Sequence, residues 1–401
     1  MAVTKRVSAG SARGCHHRAN PCTVLSDMAP SGPFLMITSL ISALQVSGQP
    51  PQGRKKCQNN YNIRLFFDDV MAVMSAFDPL FDTSFHTRLL HPKWWGSWCA
   101  LGLLSLLAFT PARLRDRFAD LVSPTVLRFS KKQAYIIDTN LKICFPELDA
   151  ADRQVLLLKS IRVGLKTFMG FGELSWRSKA RLTRRIKVSG WEHIQAEQEA
   201  GRPLILVVPH TWAVDMIGRY FSMMGIEMCT MMKSPKDQVF DWYINRERAK
   251  GGKVYERSVG IKPAIQAIRR GASFFYLPDQ DHGREASVFV PFFTRPKATL
   301  PALPKLVKLT GAKAVPIFAS YDEDEGCYLL EIEPPFDPYP TTDLLADINE
   351  MNRMVERQVA RHPEQYMWFL KIFETLEHPH GDNGLYEEGI QRIRQGLPPE
   401  P

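Results

Sequence analysis

Apolar residues recur along this chain in short blocks whose period changes after Trp191. From there, compact apolar runs bounded by turn residues read as buried strands: "LILVV" (Leu204 to Val208), "EMCTMM" (Glu227 to Met232), "SFFYL" (Ser273 to Leu277), "AVPIF" (Ala314 to Phe318) and "YLLEIE" (Tyr328 to Glu333). Helix-period stretches lie between them at Val239 to Lys250, Lys262 to Arg270 and Leu300 to Thr310. The alternation predicts an α/β sandwich around a mixed, largely buried sheet. In such folds functional groups collect at the carboxyl ends of the strands. Two more helices are expected near the C-terminus, an amphipathic one over Leu344 to Arg361 and another beginning at "PEQYMWFLKIF" with proline in its first turn.

Upstream the pattern is different. Residues 1–74 have no sustained period and are rich in Ser, Pro, Gly, Arg and His, the composition of an unstructured head. Met71 and Met74 open onto sequence that reads as folded, so the head is read as a start placed too far upstream. Within it, "FLMITSLISALQVSG" (Phe34 to Gly48) has the apolar core of a signal peptide but lies deep in the chain without a close basic flank. Cys15, His16, His17 and Cys22 lack two further ligands at zinc-site spacing.

Residues 75–120 carry the uncharged run "WWGSWCALGLLSLLAFTPA" (Trp94 to Ala112), read as an N-terminal hydrophobic membrane-anchor helix. At about 1.5 Å per residue its apolar core is slightly short of the ~30 Å hydrocarbon layer. It therefore spans with help from its flanks or lies in the interface; a buried core helix is the alternative. Arg113, Arg115 and Arg117 set its C-terminal side in the cytoplasm. Residues 121–190 read as helical and membrane-proximal, ending in the basic run Arg177, Lys179, Arg181, Arg184, Arg185 and Lys187. Such a run is either a solvated face or a contact with anionic head groups. Residues 191–378 are read as one α/β domain, the expected seat of any catalysis, and 379–401 as a loose tail.

Charge and cysteine usage narrow the classes. A net charge of +9 and a pI near 9.1 ask for an acidic partner: nucleic acid, anionic lipid or an acidic protein. The aromatics follow strand patterns and form no basic stacking surface, so nucleic acid is not expected. Seven scattered cysteines with no Cys-x-x-Cys pair imply no disulfide framework. "KGGKV" (Lys250 to Val254) has neither dinucleotide nor P-loop spacing, and no Gly-x-Ser-x-Gly elbow occurs.

The candidate chemistry starts at "LILVVPHTWAVD", where His210 follows a buried strand and Asp215 falls in the first turn of the next helix. A neutral imidazole held by a carboxylate is a general base for a hydroxyl proton. The two side chains meet only if His210 sits in the loop before the helix, which Pro209 favours. The spacing alone fits equally a histidine that caps or packs. Three later segments add weight: "YERSVGIKP" places Arg257 before a turn at Gly260, able to hold a phosphate or a developing oxyanion. "FYLPDQDHG" ends another buried strand with Asp279, Gln280, Asp281 and His282, and "AVPIF" is a strand containing Pro316.

That order resembles the glycerolipid-type acyltransferase superfamily. Within it the chain is similar to the late lipid A acyltransferases of the myristoyl-transferase branch, through "HTWAVD", "GIKPAIQAIRRG", "YLPDQDHG", "KATLPAL" and "PEQYMWFLK". The resemblance covers roughly residues 89–373. The lauroyl-transferase branch tends to have Glu in place of Asp215 and Tyr in place of His282, which leaves lauroyl or another acyl specificity as the alternative.

The resemblance implies a glycerolipid-acyltransferase-like sandwich on the cytoplasmic side of a bacterial inner membrane. His210, oriented by Asp215, would deprotonate the hydroxyl of a 3-hydroxyacyl chain on a Kdo-bearing lipid A precursor, which attacks an acyl carrier protein thioester. Neither cofactor, metal nor covalent acyl-enzyme is implied. Arg257 would bind a phosphate or the oxyanion, Trp212 would wall the pocket, and Asp279 with Gln280 would shape the acceptor site. Thr211, Lys233, Gly260, Lys262, Asp281 and His282 would complete the substrate-binding set. Two rival readings remain. Asp279 and Asp281 match the Asp-x-Asp metal and nucleotide-sugar motif of glycosyltransferases, and a membrane-bound lipid-binding module would need no His210.

Overall fold

The computed structural model describes residues 80–378 and 384–399. The head readings at residues 1–74, including the signal-like segment, the Cys-His cluster and the internal start at Met71 or Met74, lie outside them. The chain enters through two 3-10 turns, Thr87–Leu90 and Pro92–Trp94, into helices α1 (Trp95–Leu107), α2 (Ala112–Phe129), α3 (Lys131–Cys144) and α4 (Ala150–Gly170). Short helices α5 (Glu173–Trp176) and α6 (Lys179–Arg184) lead to β1 (Ile186–Ser189) and α7 (Trp191–Glu199). Strand and helix then alternate: β2 (Leu204–Val207), α8 (Val214–Met223), β3 (Met228–Met232), α9 (Gln238–Ala249), β4 (Gly252–Glu256), α10 (Lys262–Arg269) and β5 (Ser273–Tyr276). A hairpin of β6 (Val288–Phe292) and β7 (Arg295–Thr299) precedes α11 (Leu303–Thr310), β8 (Lys313–Asp322) and β9 (Cys327–Ile332). Helices α12 (Leu344–Arg361) and α13 (Glu387–Arg394) follow.

The ends of these helices are written in side chains. Asp237 caps α9 through the amides of Val239 and Phe240, and Asp343 caps α12 through those of Leu345 and Ala346, all at 3.0 Å. Pro263 and Pro304 sit in the first turns of α10 and α11, where a missing N–H costs nothing.

Seven strands form one sheet in the order β1-β9-β8-β2-β5-β3-β4. β2, β3, β4, β5 and β8 run parallel, whereas β9 pairs antiparallel with β8 and carries the parallel β1 beyond it. β2 is central and every residue of it is buried. Because side chains alternate across a strand, Ile205 and Val207 join a core with α3, α10, α11 and α12, while Leu204 and Leu206 join one with α4, α7 and α8. The sheet is thus covered on both faces, which is why its strands read as continuous apolar runs rather than alternating ones.

Several expectations are corrected. No helix among the described residues is long and apolar enough to cross a membrane, so the anchor helix is not a spanning one. α1 has 13 residues, about 20 Å of helix. Leu101 and Leu104 bury one face of it against Leu89, Val239 and Tyr243, while Leu103 and Leu106 remain exposed. The "PEQYMWFLKIF" segment forms only a 3-10 turn, Pro363–Gln365, before continuing as an irregular strap of turns. Its backbone serves partners other than a helical ladder: the Asn140 side chain donates to the carbonyls of Trp368 and Leu370 at 2.7 and 2.8 Å. Part of the expected loose tail is α13, anchored by buried Tyr386 and Ile390. Strands β1, β4, β6 and β7 were not expected: β1, β4 and β7 mix polar with apolar residues, and β6 carries Pro291.

The basic run before β1 is only partly solvated. Glu173, almost wholly buried, lies 2.5 Å from both Arg115 of α2 and Arg185, and Arg185 also donates to the carbonyl of Gly326 at 2.7 Å. One carboxylate therefore ties α2 and α5 to the sheet edge. Removing it buries two guanidinium groups without their counter-ion, so Glu173→Ala should cost about 3–5 kcal/mol. A lowered urea midpoint with an unchanged slope checks this.

Candidate active site

The parallel pairing of β2 with β5 sets Val207 opposite Tyr276. His210 lies three residues beyond the first and Asp279 three beyond the second, each after a proline, in "VVPH" and "YLPD". Equal offsets on adjacent parallel strands bring the two side chains together. His210 Nδ1 bonds Asp279 Oδ1, and the His210 backbone N–H donates to Asp279 Oδ2 at 2.7 Å. Burial pushes the Asp279 carboxyl up, yet the charge and hydrogen bonds of His210 outweigh it and hold the group below the usual carboxylate range. The Tyr366 hydroxyl faces the same carboxylate without closing a hydrogen bond of good geometry.

With Nδ1 committed to Asp279, the second ring nitrogen is the one available for chemistry. Gln280 Nε2 lies 3.1 Å from His210 Nε2 and donates to it in this arrangement. A substrate hydroxyl reaching Nε2 must displace that amide.

Asp215 does not take the expected place on His210. It lies in the first turn of α8, and its Oδ1 accepts from Nε and Nη2 of Arg248 in α9, both at 2.8 Å. The physical reason is strand order. β5 lies between β2 and β3, so the neighbour of the β2 end is the β5 end, while α8 carries Asp215 toward α9.

The other expected residues divide into groups. His282 Nδ1 accepts from Arg257 Nη2 at 2.7 Å. Burial first, then the charges of Arg257 and Lys297, push the His282 imidazolium down to about 4, so the ring is neutral at ordinary pH. Arg257 projects from the 3-10 turn after β4, which closes at Gly260 with φ of 75° and ψ of 177°, a conformation costly for any other residue. Lys262 opens α10, and both it and Lys233 are exposed. Asp281 is structural, accepting from Thr375 N at 2.6 Å, Thr375 Oγ1 at 2.8 Å and Gly283 N at 2.9 Å. Asp279 and Asp281 therefore serve different partners, and the geometry does not favour the paired-carboxylate metal reading.

Trp212 donates through Nε1 to Ser160 Oγ at 3.2 Å and packs its ring on Phe369. A Cβ at Gly164 would lie 2.9 Å from that ring, so α4 needs glycine where the indole crosses it. Thr211 is fully buried, with its hydroxyl unpartnered among the described residues. The C-terminal strap holds this loop: Trp212 N donates to Gln365 O at 2.9 Å and Met367 N to His210 O at 2.8 Å. Gln365 is fixed in turn by both backbone polar groups of Tyr321 at 2.9 and 3.1 Å.

Sequence reasoning paired His210 with Asp215, placed Asp279 with Gln280 at the acceptor site, and overlooked Arg248 and Tyr366. The repeated strand-Pro-polar pattern was the one available signal for the His210–Asp279 pair.

Comparison with known proteins bears on this geometry. The family described as bacterial lipid A biosynthesis acyltransferase matches residues 82–375. A lipid A biosynthesis acyltransferase of Haemophilus influenzae is 37% identical over 297 residues, 74% of this chain and 92% of the relative. The lipid A biosynthesis myristoyltransferase of Escherichia coli K12 is 35% identical over 302 residues, 75% and 92% of the two chains. The lauroyltransferase of the same organism is 31% identical over 294 residues, 73% and 95% of the two chains. The match spans the sheet, the His210 loop and nearly all of the strap, and the chain belongs to the bacterial lipid A biosynthesis acyltransferase family of enzymes.

Proposed function

We propose that the enzyme transfers a myristoyl chain from acyl carrier protein to the hydroxyl of a 3-hydroxyacyl chain on a Kdo-bearing lipid A precursor, with His210 as general base. The observation that carries this reading is the buried His210–Asp279 pair at the ends of adjacent strands. Asp279 fixes the Nδ1–H tautomer and stabilises the imidazolium formed when Nε2 takes the hydroxyl proton. The alkoxide attacks the thioester carbonyl, the C–S bond breaks, and the proton held by His210 passes to the leaving thiolate. A direct transfer needs no nucleophile from the protein. Cys144, Cys229 and Cys327 are buried, and burial pushes the Cys144 thiol up.

Arg257, with its cation beside neutral His282, is assigned to a phosphate of the acceptor or to the oxyanion. Asp215 supports the site indirectly by holding α8 to α9 through Arg248. The myristoyl choice rests on the resemblance at Asp215 and His282 and on the 35% identity to a myristoyltransferase; a lauroyl donor is the second reading, since a lauroyltransferase is 31% identical.

A bacterial inner-membrane location belongs to the same proposal, with α1 and α2 lying in the interface. Leu106 and Phe109 are exposed on or just after α1, and Phe118, Leu121 and Phe129 on α2, with Arg113, Arg117 and Arg128 interleaved. Apolar side chains alternating with arginines on one helix suit the boundary between acyl chains and anionic head groups.

Three outcomes follow. In a host lacking its late lipid A acyltransferases, the full chain should add one acyl mass to lipid A, the increment naming the chain length, and His210→Ala should add none. In purified enzyme, Asp279→Asn should lower kcat by about 10²- to 10⁴-fold, and Asp215→Asn should cost less than tenfold; the reverse order would return the pairing to Asp215. Replacing Leu106 and Leu121 together by Glu should cut sedimentation with phosphatidylglycerol vesicles at least tenfold while the far-ultraviolet spectrum stays unchanged.

A further inference from the structure

The strap that clasps the His210 loop is itself held from behind, by two side chains that take no part in the chemistry. Gln365 and Met367 bond the loop, and directly after them the carbonyls of Trp368 and Leu370 accept from the Asn140 amide at 2.7 and 2.8 Å. Asn140 lies in α3 and is fully buried. Its Oδ1 accepts from the Tyr386 hydroxyl at 2.6 Å, and that hydroxyl accepts from the Phe373 backbone N–H at 3.2 Å. Tyr386 is the residue on which α13 begins. An unbroken run of hydrogen bonds thus joins the C-terminal helix to the loop that carries His210.

An asparagine side chain offers two N–H donors and one carbonyl acceptor. All are used here, and neither Asn140 nor Tyr386 has a buried polar side-chain atom without a partner. A fully satisfied buried network holds its members in one arrangement, whereas each orphaned group in a broken one bears its desolvation uncompensated. Loss of the Tyr386 hydroxyl would orphan two groups together, Asn140 Oδ1 and the Phe373 N–H. The helix behind that hydroxyl is firmly seated. Ile390 is buried, Lys371 of the strap pairs with Glu387 at 2.6 Å, and a Cβ at Gly389 would lie 2.2 Å from the Tyr135 ring of α3. Yet α13 lies beyond residues 82–375, the span that the family description matches.

We propose that Tyr386 and Asn140 are positioning residues for the transfer reaction, a brace through which the C-terminal helix fixes the strap and, through the strap, the place of His210. The effect on rate rests on His210 acting as the base. Loosening the brace acts on kcat more than on KM, because a misplacement of about 1 Å at a reacting group is enough to slow a reaction about 100-fold.

The test uses the full chain as wild type, Tyr386→Phe, Asn140→Ala and the double variant. In Tyr386→Phe, hydrogen exchange at the Trp212 and Met367 amides, which close the clasp on the loop, should quicken about tenfold while the amides of the β2–β5 ladder keep their rates. With acyl carrier protein thioester and lipid acceptor, kcat should fall about tenfold at unchanged KM. The double variant should lose no more than Asn140→Ala alone, as two groups acting through one network do. Unchanged exchange at the clasp, equal quickening throughout the sheet, a loss carried by KM, an unchanged kcat or additive losses would each overturn the proposal. Tyr386→Phe removes a single oxygen atom, and it decides the matter through exchange and kcat alone if Asn140→Ala does not fold. His210→Ala, measured alongside, separates the two readings: if it keeps its rate the general-base assignment fails, and the exchange rates still decide the brace.

Discussion

Everything at the site depends on β2 and β5 being immediate parallel neighbours. Parallel pairing fixes the register, so two loops that start at the same height must project their residues to the same height. A proline ends each strand, and a histidine leaves one while an aspartate leaves the other. Neither residue has to travel. The helices that cover both faces of the sheet keep water from the pair, and their packing makes the hydrogen bonds of Asp279 worth more than they would be at a surface.

The price of that burial is charge management, handled in layers. Asp279 is held by His210; Asp281 is turned away to the strap; Asp215 is paired with Arg248. Each carboxylate near the substrate side therefore has its own partner. Arg257 is different, since its side chain leans on a neutral imidazole rather than on a carboxylate. The same separation holds at the far edge of the sheet, where Glu173 binds two arginines among the helices that carry the exposed apolar residues.

Much of this was legible in the chain. Strands β2, β3, β5, β8 and β9 and the helices over Val239 to Lys250, Lys262 to Arg270 and Leu344 to Arg361 were, because a covered sheet writes apolar blocks and an amphipathic helix writes a 3.6-residue period. β1 and β4 were not, being short edge strands of mixed polarity. The Pro-His and Pro-Asp strand ends were also visible, but their meeting depends on strand order, which periodicity does not encode. A His-x4-Asp spacing is a local feature, and local proximity drew Asp215 into the reading in place of a residue 69 positions away. The strap failed for a related reason: "PEQYMWFLKIF" has helical spacing, and its backbone runs through irregular turns because Asn140 and the His210 loop claim its polar groups.

The strap also makes the order of the His210 loop depend on residues far along the chain. His210 is followed by about 155 residues before the chain reaches Gln365 and Met367, whose backbone groups clasp Trp212 and His210, and Thr375 is needed to satisfy Asp281. During synthesis the nucleus of the sheet emerges well before those contacts exist. A growing chain therefore carries His210 and Asp279 in an unclasped loop until residues 365–375 have been added.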